Sequence, residues 1–205
     1  VDHVDISKFL FALFTLFVYC GSKVQSLFAF QSLFAFHAFF GAGDIDFVLL
    51  RESVEGLFAS MNGGIQLRDE TAVDSMVITR SGTERIARYA FELARDRRAE
   101  RADGLRGERD THVTCVDKAN VFKSMAFFRH VFDGVAADTD IAADHAYVDA
   151  MSLYMVRRPE TYDVMVTENM YGDILSDLGA GLIGGLGMAP SGDIGEDAAV
   201  FQPSH

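Results

Sequence analysis

The sequence predicts an α/β protein with largely parallel strand pairing. Three observations carry that expectation. From about residue 42 onward, short runs rich in β-branched and aromatic residues alternate with segments of helical periodicity. The runs end at polar or charged residues, as strands do where they leave a core. At 205 residues, with 49% hydrophobic and 23% charged residues, the chain has the composition of an ordinary globular protein with an ample core.

The elements follow in order. Residues 1–41 stand apart: they hold ten of the eighteen phenylalanines, no arginine, and a tandem hexapeptide, QSLFAF at 25–30 and again at 31–36. The apolar run 9–20 is shorter than the ~20 residues that span a bilayer, and it lacks the basic flank of a secretory signal. No function is assigned to this segment. Residues 44–53, DIDFVLLRES, read as a buried strand, and VDSMVITR at 73–80 as another. Ser81 or Thr83 then offers an N-cap for a helix whose apolar stripe is Ile86, Tyr89, Ala90, Leu93 and Ala94. The charged, glycine-containing tail of that helix, RDRRAERADGLRGERD, reads as a solvated turn.

HVTCVDK at 112–118 is a strand, and ANVFKSMAFFRHVFDGV the helix after it. DAMSLYMVRRPE is a helix stopped by Pro159, and YDVMVTEN at 162–169 is a strand leading into a further helix. The glycine-rich stretch 179–195 does not follow a strand with the spacing G-x-G-x-x-G, so it is not read as a nucleotide loop.

The net charge of −12 should repel phosphate backbones and anionic membrane surfaces, which argues against nucleic acid and membrane as partners. The two cysteines, Cys20 and Cys115, support neither a disulfide framework nor a thiol-rich metal site, and a reducing, cytoplasmic setting fits best.

The residues that carry chemistry lie at predicted strand ends and on one helix. VTENMYGDILSDL at 166–178 places Asp173 and Asp177 four apart, on one helical face, with no basic residue beside them in sequence. Arg51 and Lys118 end strands, where α/β sheets tend to bind ligands, and Asp149 lies in YVDAM. Three carboxylates suit a hard divalent cation, Mg²⁺ or Mn²⁺. Each feature alone has a plainer reading: a solvated edge for the aspartate pair, an exposed terminus for Lys118, a salt-bridge partner for Arg51, an N-cap for Asp149.

Taken together, DFVLLRESVEGLF, VDKANV, YVDAMSLYMVRRPETYDVMVTENMYGDILSDLGAGLIGGLGMAPSGDIG and FQPSH resemble the metal-dependent β-decarboxylating dehydrogenases, over about residues 43–205. That group contains isopropylmalate, isocitrate, homoisocitrate and tartrate dehydrogenases. The resemblance implies an isopropylmalate dehydrogenase-like fold. It implies a smaller catalytic and dimerisation domain at 42–187, a fringe of the larger nucleotide-binding domain at 188–205, and most of that larger domain missing. It implies that Arg51 binds a substrate carboxylate and that Lys118 assists proton transfer at the substrate hydroxyl. Asp149, Asp173 and Asp177 would hold the metal. Asp149 and Lys118 would enter the neighbouring subunit's site, so the active unit would be a homodimer.

The cofactor implied is NAD, with NADP open, and His205 is the cofactor-binding residue that this chain retains. The substrate would be a 2-hydroxy diacid such as 3-isopropylmalate, with isocitrate, homoisocitrate and tartrate as alternatives. Two departures matter. Phe58 stands where the family carries a tyrosine that protonates the enol, and the family's further arginines ahead of Arg51 are absent. Both favour a second expectation, a truncated homologue that dimerises without turnover.

Overall fold

The computed structural model of the chain describes residues 33–37, 45–61, 63–195 and 197–204, with the backbone alone at 33–37. Its centre is a five-stranded sheet in the order β1-β2-β7-β5-β6: β1 is Leu33–His37, β2 Val48–Glu52, β5 His112–Asp117, β6 Ala142–Tyr147 and β7 Val164–Thr167. The last four named are parallel, and β1 alone runs antiparallel, from Leu33↔Glu52 to His37↔Val48. Leu33–His37 therefore joins the fold as its edge strand; residues 9–20, and the membrane reading weighed for them, lie outside the described residues. Two short hairpins complete the strands: β3 (Ile65–Leu67) with β4 (Thr71–Val73), and β8 (Pro190–Ile194) with β9 (Ala199–Pro203).

The parallel strands β2, β5 and β7 are short apolar runs because both of their faces are covered, whereas the edge strand β6 is largely exposed. Val48, Leu50, Val113, Cys115, Val164 and Val166 face one core with α1 (Arg80–Ala102) and α2 (Lys123–Ala136), where Ile86, Phe91, Phe128 and Phe132 are buried. The alternate positions Phe47, Leu49, Val116 and Met165 face the other core, with Met151 and Met155 of α3 (Val148–Arg157) and Leu175 of α4 (Asn169–Leu182). The period-2 alternation divides each strand between two layers of helices.

Several boundaries differ from the sequence reading. The helix α1 starts at Arg80 and is capped by Thr79, not by Ser81 or Thr83: the Thr79 hydroxyl accepts from the Gly82 amide at 3.1 Å. The run 73–80 is not one strand; it leaves the short β4 and touches Gly56 again only at Val77. The charged tail predicted as a solvated turn is helical to Ala102, because its arginines have buried partners. Arg97 donates to Asp163 Oδ1 at 2.7 Å and to the Asp46 carbonyl at 2.7 Å, and Arg101 reaches both oxygens of Asp163. The edge strand β6 was not foreseen, since AADHAY carries no apolar alternation; pairing along β5, from His112↔Ala142 to Asp117↔Tyr147, decides it.

Candidate active site

The sheet register builds the site. Arg51 lies beside Thr167, Thr167 beside Val116, and Asp117 beside Tyr147, so the carboxyl ends of all four parallel strands form one edge. In open α/β sheets that edge is where ligands bind. The chain turns there into Glu52, Glu168, Lys118 and Val148.

The first cluster forms between β2 and α4. Arg51 Nε donates to Asn169 Oδ1 at 2.9 Å and Arg51 Nη1 to Asp173 Oδ1 at 2.5 Å. Arg51 is 12% exposed and Asp173 48%, so the pair opens on one side to solvent. Asp177 follows one turn along the same helix and is exposed. Gly172 permits this approach of strand and helix: a Cβ built there would lie 2.7 Å from both Cβ and Cγ of Arg51. Glu168 caps α4, its carboxylate accepting from the Met170 and Tyr171 amides at 3.1 and 2.8 Å, while burial pushes its pKa up. The Phe58 ring lies beneath the Arg51 guanidinium, 5.4 Å from ring centre to the guanidinium carbon. Asp193 of β8 is a fourth carboxylate near Arg51. Burial raises its pKa, and Arg51 opposes the rise.

The second cluster forms after β5. Asp117 is buried and grips Arg129 through both carboxylate oxygens, at 2.7 and 2.8 Å, while its Oδ1 accepts from the Ala119 amide at 2.7 Å. That clamp fixes the turn carrying Lys118. The ammonium of Lys118 donates to Asp149 Oδ1 and lies 5.8 Å from the centre of the Tyr147 ring. The hydrogen bond from Lys118 holds the Asp149 carboxyl below the usual carboxylate range.

The structure thus brings Arg51 to Asp173 and Lys118 to Asp149. Among the described residues of one chain it gathers no group of three His, Cys, Asp or Glu able to hold a metal, so Asp149 does not meet Asp173 and Asp177 within a single copy. The aspartate pair does have a basic neighbour, which sequence proximity hid: Arg51 comes from a strand 122 residues away. Asp173, Asp177 and Asp149 offer oxygen donors alone and each faces solvent, which fits a hard divalent ion. His205 lies outside the described residues. Sequence reading missed Asn169, Asp117 and Arg129: Asn169 pairs with Arg51, Asp117 precedes Lys118 in the chain, and Arg129 reaches the site only through Asp117; nothing in local periodicity distinguishes them.

Among the described residues no helix is long and apolar enough to cross a membrane. The isocitrate/isopropylmalate dehydrogenase family profile matches residues 30–205. The chain is 43% identical over 164 residues to the 3-isopropylmalate/3-methylmalate dehydrogenase of Methanocaldococcus jannaschii, covering 79% of this chain and 46% of that protein. It is 42% identical over 170 residues to the homoisocitrate dehydrogenase of the same organism, covering 82% and 45%. A crystal structure of isocitrate dehydrogenase from Methylococcus capsulatus superposes with a TM-score of 0.70 at 40% identity, over 86% of this chain and 51% of that one. The chain spans about half the length of the curated relatives it matches.

Proposed function

Because the chain belongs to the isocitrate/isopropylmalate dehydrogenase family, we propose that it carries the metal- and substrate-binding half of an NAD-dependent oxidative decarboxylation. The substrate is a 2-hydroxy diacid such as 3-isopropylmalate, which would place the reaction in leucine biosynthesis; isocitrate, homoisocitrate and tartrate are the alternatives, and NADP the alternative acceptor. The observation that carries this reading is the pairing, at one edge of the sheet, of each expected substrate-side cation with an expected metal carboxylate: Arg51 with Asp173, and Lys118 with Asp149.

Each residue type suits its task. The planar guanidinium of Arg51 presents two parallel donors to a substrate carboxylate. The Lys118 amine, once its ion pair opens and its ammonium has given a proton to solvent, can accept the proton of the substrate hydroxyl. Asp173 and Asp177 of one copy and Asp149 of the other would hold Mg²⁺ or Mn²⁺. When bound, that ion would acidify the hydroxyl and neutralise the negative charge that develops as carbon dioxide leaves. When bound, NAD would supply the acceptor for the hydride of the substrate carbinol; loss of carbon dioxide then breaks the carbon–carbon bond to the departing carboxylate and leaves its electron pair on the substrate. A proton must then reach that carbon, and Phe58 has none to give.

Two copies complete the site in this reading. Leu153 and Val156 on α3 and Ile174 on α4 are more than half exposed, as are Ile65 and Leu67 of the β3–β4 hairpin, and they support a homodimer across these elements. Phe58 favours a second reading, in which this chain dimerises and binds a divalent ion without turnover. Formation of NADH or NADPH with 3-isopropylmalate, isocitrate, homoisocitrate and tartrate, each with Mn²⁺ and with EDTA, separates the two. The expected result is reduced nicotinamide from one diacid, abolished by EDTA. None from any of the four, by a folded chain that sediments as a dimer and binds Mn²⁺, would favour the second.

A further inference from the structure

Arg51 has two described side-chain acceptors of different character. Asn169 is neutral, 2% exposed, and fixed at its far end, because its Nδ2 donates to the Glu55 carbonyl at 3.0 Å. Asp173 is charged, about half exposed, and is the residue through which the divalent ion would bind. These two acceptors cannot serve Arg51 equally once a metal arrives. A divalent ion at Asp173 draws on the same carboxylate charge that holds the guanidinium, and the two cations repel across a few ångströms. Asn169 carries no charge and gains nothing from the ion, so its hydrogen bond to Nε remains.

We propose that Asn169 is the positioning residue of Arg51: it holds the guanidinium at the sheet edge while Asp173 passes from the arginine to the metal, which turns the released Nη1 toward a substrate carboxylate. The inference rests on the metal-and-diacid reading above and adds a consequence to it. Without diacid, Arg51 and the divalent ion compete for Asp173. With diacid they cooperate, because the ion vacates the donor that the carboxylate then takes.

Titration calorimetry of the full chain with Mn²⁺ and with D-malate, the unsubstituted 2-hydroxy-1,4-diacid, tests this without turnover. Arg51→Gln is expected to bind Mn²⁺ alone about fivefold more tightly than the wild type, the worth of a partly exposed ion pair. D-malate should tighten Mn²⁺ binding to the wild type and not to Arg51→Gln. Asn169→Ala should leave Mn²⁺ binding within about twofold of wild type and weaken D-malate binding to the Mn²⁺-loaded chain roughly tenfold, as expected for a lost bond to a charged group. Unchanged or weaker Mn²⁺ binding by Arg51→Gln overturns the competition. Equal losses of Mn²⁺ and D-malate in Asn169→Ala overturn the positioning role, since damage to α4 would move both. A wild type that binds no Mn²⁺, or Asp173→Asn binding it unchanged, defeats the functional reading itself.

Discussion

Phe58 is the residue at which this chain departs furthest from the chemistry its neighbours suggest. Its ring covers one face of Arg51, a packing role that a phenyl group fills as well as a phenol. A phenol would add a proton donor at the same place. If the chain turns over, Phe58→Tyr is expected to raise kcat by about a hundredfold, within the range that one well-placed general acid contributes, with little change in KM; steady-state rates of NADH formation check this. An unchanged kcat would mean that the proton arrives by another route and that the ring serves packing alone. The same scale shows why single residues mislead when read in isolation. Asp173 and Asp177 stand in an apolar helix without a local counter-charge, and the counter-charge arrives from β2.

At the scale of elements, α1 shows how a charged run can be structural. Its last two turns carry Arg97 and Arg101 to Asp163, a fully buried carboxylate at the foot of β7, and Arg97 is itself almost completely buried. Burying a carboxylate is costly unless it is paired and hydrogen-bonded. Arg97→Ala would leave Asp163 with Arg101 as its remaining described arginine partner and open a void beside β7. The expected loss is about 3–5 kcal/mol of unfolding free energy, as for other broken buried pairs, read from the denaturant midpoint. A loss under about 1 kcal/mol would mean that the pair is solvated as a surface bridge is. The strand β6 teaches the converse. A sequence with no alternation becomes a strand because β5 offers it a ladder, so its hydrogen bonds, not its side chains, define it.

At the scale of the whole molecule, the two clusters occupy one sheet edge yet remain separate within a copy, and Leu153 and Val156 of α3 and Ile174 of α4 are exposed; the proposed two-copy site makes these the residues to test. Replacing Leu153 and Val156 together by aspartate is expected to halve the sedimenting mass and to abolish any NADH formation, while the Arg51–Asp173 cluster stays folded. A wild type that sediments as a monomer at micromolar concentration would remove the two-copy site. The alternation of strands and helices and the apolar strands β2, β5 and β7 were legible in the sequence, whereas β6 and the true end of β4 were not; the sequence offered Arg51, Lys118, Asp149, Asp173 and Asp177 as candidates, and the fold sets Arg51 against Asp173 and Lys118 against Asp149. Periodicity and short motifs are local properties, written within a few turns of chain. The partners of those residues were not legible: Arg51 finds Asp173 and Asn169, 122 and 118 positions away, and Lys118 finds Asp149, 31 away. Parallel pairing joins strands distant in the chain, and only the register of the folded sheet decides which charges meet.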